Sequence, residues 1–356
     1  MFLVFFGLIM LYSTSSYEAT LDFGNGAYYL KKQAMATVLG LVMMLFISVV
    51  DYHVWRRFAL PAYLISLVLV VLVKTPLGYE ANGARRWIKI AGVSLQPAEV
   101  VKITLILLLA SVICIMGKQV RTWRGIIIVM GAALIPAVMI LFITKNMSSA
   151  IIIAGIAAVM LFVADPHYTR YIVIAVSAVC LAALVVVVIT VLLLFLVHPK
   201  TKRFVVFACV VLVLAVIVVV YLKIQISDMA TSTDFRMRRI IAWLNPEAYS
   251  DNTGFQTLQA LYAIGSGGIF GKGLGQSMQK MGFIPESHND MIFSIICEEL
   301  GLFGAVCLIL VFVTLIFRML LIALNTEDLF GSLIVIGFMT HIAIQVFINI
   351  AVVTNT

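Results

Sequence analysis

Nine long apolar stretches, separated by short polar connections except for one long one before the eighth, constrain this chain more than any other feature. They run over Ala34–Val50, Leu60–Val73, Val100–Met116, Ile126–Ile143, Ala150–Val163, Ile172–Val197, Phe204–Leu222, Leu302–Leu324 and Leu329–Val353. A membrane-crossing helix needs about 20 apolar residues at 1.5 Å rise each, somewhat fewer where the bilayer thins. The stretches are continuous in Leu, Ile, Val and Ala, so they predict helices. Barrel strands would alternate apolar and polar residues in pieces of about ten. Composition points the same way: 63% of the 356 residues are hydrophobic, 11% are charged and mean hydropathy is +1.15. A soluble surface takes roughly a quarter of its residues as charged. Met1–Tyr12 is too short to span alone and has neither a basic leader nor a small-residue cleavage site, so it reads as the back half of a first helix. The expected fold is all-α, a polytopic membrane helix bundle of about 9–10 transmembrane segments. It forms one domain over residues 1–356, with a single large loop over 223–290 and truncated helices at both ends.

Cysteine and charge usage narrow the function classes. Cys114, Cys180, Cys209, Cys297 and Cys307 lie in apolar or helical stretches without a CxxC pair, which reads as inert buried thiols and not as a metal or redox site. The net charge of +8 is spread over short connections and accompanies no nucleic-acid module. Anionic membrane lipids or an anionic membrane substrate fit it better than nucleic acid. With the N-terminus inside, the inner connections hold Arg56, Arg57, Lys118, Arg121, Arg124 and Arg170, and the outer ones hold Lys31, Lys32, Arg85, Arg86, Lys89 and Lys145. The inside bias of positive charge is therefore missing, and an anionic substrate on the outer side would account for that.

Most chemical variety falls between Lys223 and Asp290. Arg236, Arg238 and Arg239 precede Trp243 and Asn245-Pro246-Glu247. A glycine-rich run follows from Gly265-Ser266-Gly267-Gly268 through Gly271-Lys272-Gly273 to Gly275, then Gln279-Lys280 and Pro285-Glu286-Ser287-His288-Asn289-Asp290. A connection of this length is uncommon in a compact bundle unless it is functional or disordered, and its aromatic content argues against disorder. It is expected to fold over the mouth of the bundle. The glycine run is not a nucleotide loop: Gly273 follows Lys272 where a Walker A loop needs Ser or Thr, and the dinucleotide spacing fails at Phe270. It reads as a tight, close-approach connection that leaves Lys272 available to a phosphate.

Charges at membrane depth carry a cost and therefore information. Arg85, Arg86 and Lys89 surround Trp87, and Gln96-Pro97-Ala98-Glu99 opens a helix bearing Lys102. Glu99 and Lys102 share a helical face at i, i+3 and can pair inside the bundle. The alternative for the first group is an interface anchor, with Trp at the headgroups and Arg reaching to lipid phosphates.

Together these blocks resemble the SEDS family (shape, elongation, division and sporulation), which includes FtsW, RodA and SpoVE. The blocks are Tyr12-Ser13-Thr14-Ser15-Ser16, matching the Ser-rich end of the family's first helix; Gly83-Ala84-Arg85-Arg86-Trp87-Ile88 with Gln96-Pro97-Ala98-Glu99-Val100-Val101-Lys102; Arg239 to Pro246 with Gly254-Phe255-Gln256; and Gly265 through Gly301. The last block and Asn349 to Thr356 are closer to the FtsW branch than to RodA. The resemblance implies a peptidoglycan glycosyltransferase in the bacterial cytoplasmic membrane with its site facing outside. Such an enzyme polymerises lipid II, a polyprenyl-pyrophosphate disaccharide, by joining a sugar 4-hydroxyl to an anomeric carbon with inversion. It further implies Asp290 as catalytic base, and Arg85, Arg86, Lys102, Arg238, Arg239, Lys272 and Lys280 as cations for the pyrophosphate. Trp87 would stack on a sugar, with Glu99 and His288 also in the substrate site. A divalent cation, Mg or Mn, would suit carboxylate and pyrophosphate oxygens, its protein ligands being unassigned; no organic cofactor is implied. The implied partner is a class B penicillin-binding protein. Asp290 also stands where a helix N-cap is expected, ahead of Met291–Cys297, and Glu298 and Glu299 read as structural or partner contacts.

Three features depart from the family. Lys145-Asn146-Met147-Ser148-Ser149 stands where Pro-Asp-Leu-Gly-Thr is frequent, so no role resting on that aspartate transfers. The row ends at Thr354-Asn355-Thr356, ahead of the family's last helix. An eighth complete span before the loop would put Asp290 on the cytoplasmic side, so one segment within 172–222 is expected to be re-entrant, interfacial or displaced. A lipid II flippase and a non-catalytic division scaffold stay open beside the polymerase.

Overall fold

Every apolar stretch that falls among the described residues folds as an α-helix. The computed structural model describes residues 1–81, 84–90, 93–165, 254–284 and 287–355. Apart from 254–258, these belong to one compact unit formed by Met1–Pro166 and Gln259–Thr356. Its helices are α1 (Phe2–Phe23), α2 (Tyr28–Val49), α3 (His53–Leu72), α4 (Pro97–Met116), α5 (Trp123–Met139), α6 (Met147–Ala164), α8 (Ile292–Asn325) and α9 (Leu329–Thr354), with the shorter α7 (Phe255–Ser266) before α8. Eight of the described helices are long and apolar enough to cross a membrane. The protein is a multi-pass membrane protein. Ile172–Val197, Phe204–Leu222 and the Arg236–Pro246 cluster lie outside the described residues, as do Cys180 and Cys209.

Helix α4 is the centre of the bundle and packs against α3, α5, α6 and α9. Gln96 is its N-cap and Pro97 occupies its first turn, where a missing N–H costs nothing. The buried polar side chains of α3 and α4 are satisfied locally or across the interface: Thr104 Oγ1 donates to Ser66 Oγ at 2.9 Å, and Tyr63 Oη to the Ala132 carbonyl at 2.7 Å. By contrast, α2 buries no side chain, as expected of a helix whose solvent is lipid on most sides.

Short connections reverse the chain at each end. At one end His53 links two of them, with Nδ1 2.7 Å from Asp51 and Nε2 3.4 Å from Asp328. Asp328 caps α9 by accepting from the Gly331 N–H at 2.9 Å, and that bond leads the causes that hold its carboxyl below the usual range. The His53 N–H does the same for Asp51. The opposite end carries the α1–α2 connection, the start of α8 and a sheet that composition alone did not reveal. Strands β1 (Gly78–Ala81), β2 (Ala84–Ile90) and β3 (Val93–Leu95) form an antiparallel meander in the order β1-β2-β3. Arg85, Arg86, Trp87 and Lys89 thus stand on a strand, not in an irregular connection.

Two boundaries differ from expectation. Tyr12–Ser16 was expected to end the first helix, but α1 continues to Phe23 and stops at Gly24, whose φ of 67° ends it in a left-handed turn. Ser13, Thr14 and Ser15 are consequently buried in mid-helix. Asn146, in the divergent segment Lys145–Ser149, caps α6 through the Ser149 N–H at 3.1 Å, following a π-turn over Ile140–Thr144.

Candidate functional site

Helix α8 is broken at Gly301, where φ is 68° and ψ is −171°. A Cβ there would run into the backbone of Ile269 and Gly271, so only glycine allows the approach. The glycine-rich run wraps this break. Lys272 N–H donates to the Glu298 carbonyl at 3.0 Å and Gly273 N–H to Glu299 at 2.9 Å, while the Leu302 and Phe303 N–H groups donate to Gly268 at 2.9 Å and Ile269 at 3.0 Å. Backbone groups freed by the broken helix are thereby satisfied, as burial requires.

The two acids at the break are fully buried. Glu298 pairs with Lys272 Nζ at 2.7 Å and accepts from Ser277 Oγ and from the Met278 and Gln279 N–H groups at 3.3 Å. Glu299 pairs with Lys280 Nζ at 2.8 Å and accepts from Ser13 Oγ of α1 at 2.7 Å. Lys272 and Lys280 thus neutralise buried carboxylates and pin the loop. In this structure both ammonium groups are held by Glu298 and Glu299, so each expected phosphate cation already carries a carboxylate partner. Neither the lysine partners nor the role of Ser13 was visible from sequence, because the contacts are up to 286 residues apart.

Two turns earlier the same segment presents Asp290. Its carboxylate is exposed and has no hydrogen-bond or ion-pair partner among the described residues. It stands one residue before Met291, the N-cap position of α8, which carries no side-chain cap bond. The capping role is therefore not realised. What surrounds Asp290 fixes its backbone: Asn349 Nδ2 of α9 donates to its carbonyl at 3.1 Å. His288 Nδ1 lies 2.9 Å from Glu18 Oε2, and its ring stacks obliquely on Tyr29 with centroids 4.6 Å apart. Glu18 and Asn349 join the candidate site through these contacts, which sequence reasoning missed. Between α1 and α2 a cavity of about 610 Å³ is lined by Leu8, Leu11, Leu41 and Met44 and reaches His288 and Asn289.

The expected Glu99–Lys102 pair forms, at 2.7 Å, with Lys102 buried. Lys102 Nζ also donates to Gln345 Oε1 at 3.2 Å, and Gln345 meets His341 at 2.8 Å. His341, Gln345 and Asn349 recur every four residues on one face of α9, so a ladder of polar side chains lines that face between Lys102 and the Asp290 backbone. That spacing inside an apolar helix was the available signal. On the sheet, Arg86 donates to the Thr144 and Lys145 carbonyls at 3.3 and 3.2 Å, and exposed Arg85 pairs with Glu80 at 3.4 Å. Trp87 faces Tyr79 in register, and Lys89 lies 5.7 Å over the Tyr79 ring. Arg238 and Arg239 lie outside the described residues. Among the described residues no cluster of three His, Cys, Asp or Glu suits a metal ion.

The family model described as "Cell cycle protein", covering FtsW, RodA and SpoVE, matches residues 1–208 and 181–356. The chain belongs to this family. Similar members of the FtsW/RodA/SpoVE family include a probable peptidoglycan glycosyltransferase FtsW of Geobacter metallireducens, 35% identical over 98% of this chain and 82% of that protein. Another is stage V sporulation protein E of Bacillus subtilis, 33% identical over 98% and 84%. Among solved structures, a chain from work on "structural coordination of polymerization and crosslinking by a peptidoglycan synthase complex" matches with TM-score 0.68 at 22% identity, covering 99% of this chain and 87% of that one. Thermus thermophilus rod shape determining protein RodA matches with TM-score 0.55 at 20% identity over 99% and 84%. The two structures share the family fold.

Proposed function

We propose that this protein is a peptidoglycan glycosyltransferase that polymerises lipid II, with Asp290 as the base. The observation that carries the reading is the contrast among acids around the start of α8. Glu298 and Glu299 are sealed in ion pairs, whereas Asp290 is exposed, has no counter-charge among the described residues, and is held by Asn349 at its carbonyl. Relatives named peptidoglycan glycosyltransferase support it.

In the proposed reaction Asp290 accepts the proton of the acceptor's 4-hydroxyl as that oxygen bonds to the donor's anomeric carbon. The bond from that carbon to the pyrophosphate oxygen breaks, the pyrophosphate leaves with the electron pair, and the carbon inverts. General-base assistance of this kind contributes roughly 10²–10⁴-fold. Arg85, Arg86 and Lys89 on the sheet would balance the developing pyrophosphate charge. Trp87 supplies a face for a sugar, and Lys102, held by Glu99 and Gln345, supplies buried positive charge at the far end of the ladder. The apolar cavity between α1 and α2 suits a polyprenyl chain whose head lies beside His288 and Asn289. A divalent cation, Mg or Mn, would draw mainly on substrate oxygens, since no cluster of protein ligands stands among the described residues, and it would supply charge for the leaving group. The Asp290 end is assigned to the outer side, and the partner is a class B penicillin-binding protein, in keeping with the synthase complex among the similar structures.

The polar ladder at membrane depth also favours, as a second reading, passage of a lipid headgroup. Proteoliposomes separate the two. With fluorescent lipid II and a cognate transpeptidase, the polymerase reading expects glycan strands from the native chain and none from Asp290→Asn. Headgroup translocation by both chains, with no strands from either, would replace it with the flippase.

A further inference from the structure

We propose that the glycine-rich segment Ile269–Phe283 is a membrane-interface element whose exposed apolar side chains enter the headgroup–acyl boundary at the Asp290 end of the bundle. Ile269, Phe270, Leu274, Met278, Met281 and Phe283 are all exposed, Phe270 at 80%. Between Gly254 and Ile284 the only charged residues are Lys272 and Lys280, and both turn inward to Glu298 and Glu299. The segment thus shows its surroundings large apolar groups and no unpaired charge. Such a patch is costly in water.

Its depth follows from α8. Beyond the break, Leu302–Asn325 rises about 36 Å at 1.5 Å per residue, enough for a hydrocarbon core of about 30 Å. Gly301 therefore falls near one edge of that core. The loop is bonded to this edge, through Leu302 N–H to Gly268 and Phe303 N–H to Ile269. Leu302 and Phe303 are themselves exposed, and Val306, Leu310 and Val313 continue the exposed apolar face along the helix. The loop patch is continuous with that lipid-facing surface, which commits its occupant to lipid. Interfacial elements of this character sit about 5–10 Å into the headgroup boundary. Inserted there, the loop fixes the height of Asp290 relative to the membrane surface through the Lys–Glu clamps. The inference rests on geometry and composition and does not depend on the polymerase reading.

The test adds one tryptophan at a time to the full chain, Phe270→Trp or Met278→Trp, in bilayers carrying brominated lipids, and reads the emission gained over the four native tryptophans. The expected result is strong quenching by bromine near the glycerol end of the acyl chain, weaker quenching by deep bromine, and little effect of aqueous iodide. Quenching by iodide with indifference to brominated lipid would place the loop in water and overturn the proposal. Protection from both quenchers would mean that protein covers the patch and would overturn it equally.

Discussion

Asp290 is left reachable because residues around it do the structural work. Asn349 holds its carbonyl, and Glu18 fixes His288 two residues before it. Glu18 lies in α1, 270 residues from its partner, and in the proposed reaction it would act as a positioning residue. Glu18→Ala removes the acceptor and is expected to lower the polymerisation rate about tenfold, as a displacement well below an ångström can, with helical circular dichroism unchanged. Glu18→Gln keeps an acceptor and is expected to retain most of the rate. Equal loss in both variants would point to charge and would contradict the positioning role. Lys272 and Lys280 teach the converse lesson. A lysine near a proposed phosphate site looks free in the row of letters, and only tertiary contact reveals that a buried glutamate already claims it.

At the scale of elements, the clamp at the α8 break can be measured. Removing one member of the Lys280–Glu299 pair leaves a buried charge, at a cost of about 3–5 kcal/mol. Glu299→Gln and Lys280→Met should each lower the unfolding temperature in micelles. The double variant should recover much of the loss, because no charge is then stranded; additive losses would refute a paired role. At the opposite end, the folded-state carboxyl of Asp328 is held low by the Gly331 N–H it caps. A depressed carboxyl contributes stability above its unfolded pKa and loses it as pH falls through the folded one. Asp328→Ala should therefore be less stable than the native chain at neutral pH, by about 1 kcal/mol for the lost cap. That difference should close as pH drops below the ordinary carboxylate range, and a gap independent of pH would argue against the charged cap.

For the whole molecule, the helical bundle was legible because membrane spans are set by length and apolarity, both local properties. Every expected span within the described residues formed, and the Glu99–Lys102 pair followed from helical spacing alone. The sheet was not legible: Arg85, Arg86 and Lys89 interrupt the β-pattern, and its stability comes from pairing with neighbours and from Arg86 reaching α5–α6. Nor were Ser13 and Glu18, since a serine-rich or acidic turn in α1 gains meaning only from Glu299 and His288. Helix directions place Asp290, the sheet and the α1–α2 connection at one end, independent of any span count over 172–222. The central claim is that the Asp290 carboxylate takes the proton in glycan polymerisation. Its most direct test compares the purified native chain with Asp290→Asn, each with a cognate transpeptidase, for strand synthesis from lipid II and, in parallel, for lipid II binding. Loss of synthesis by at least about 100-fold, with binding retained, is the predicted result. Comparable synthesis by the Asp290→Asn chain would contradict it.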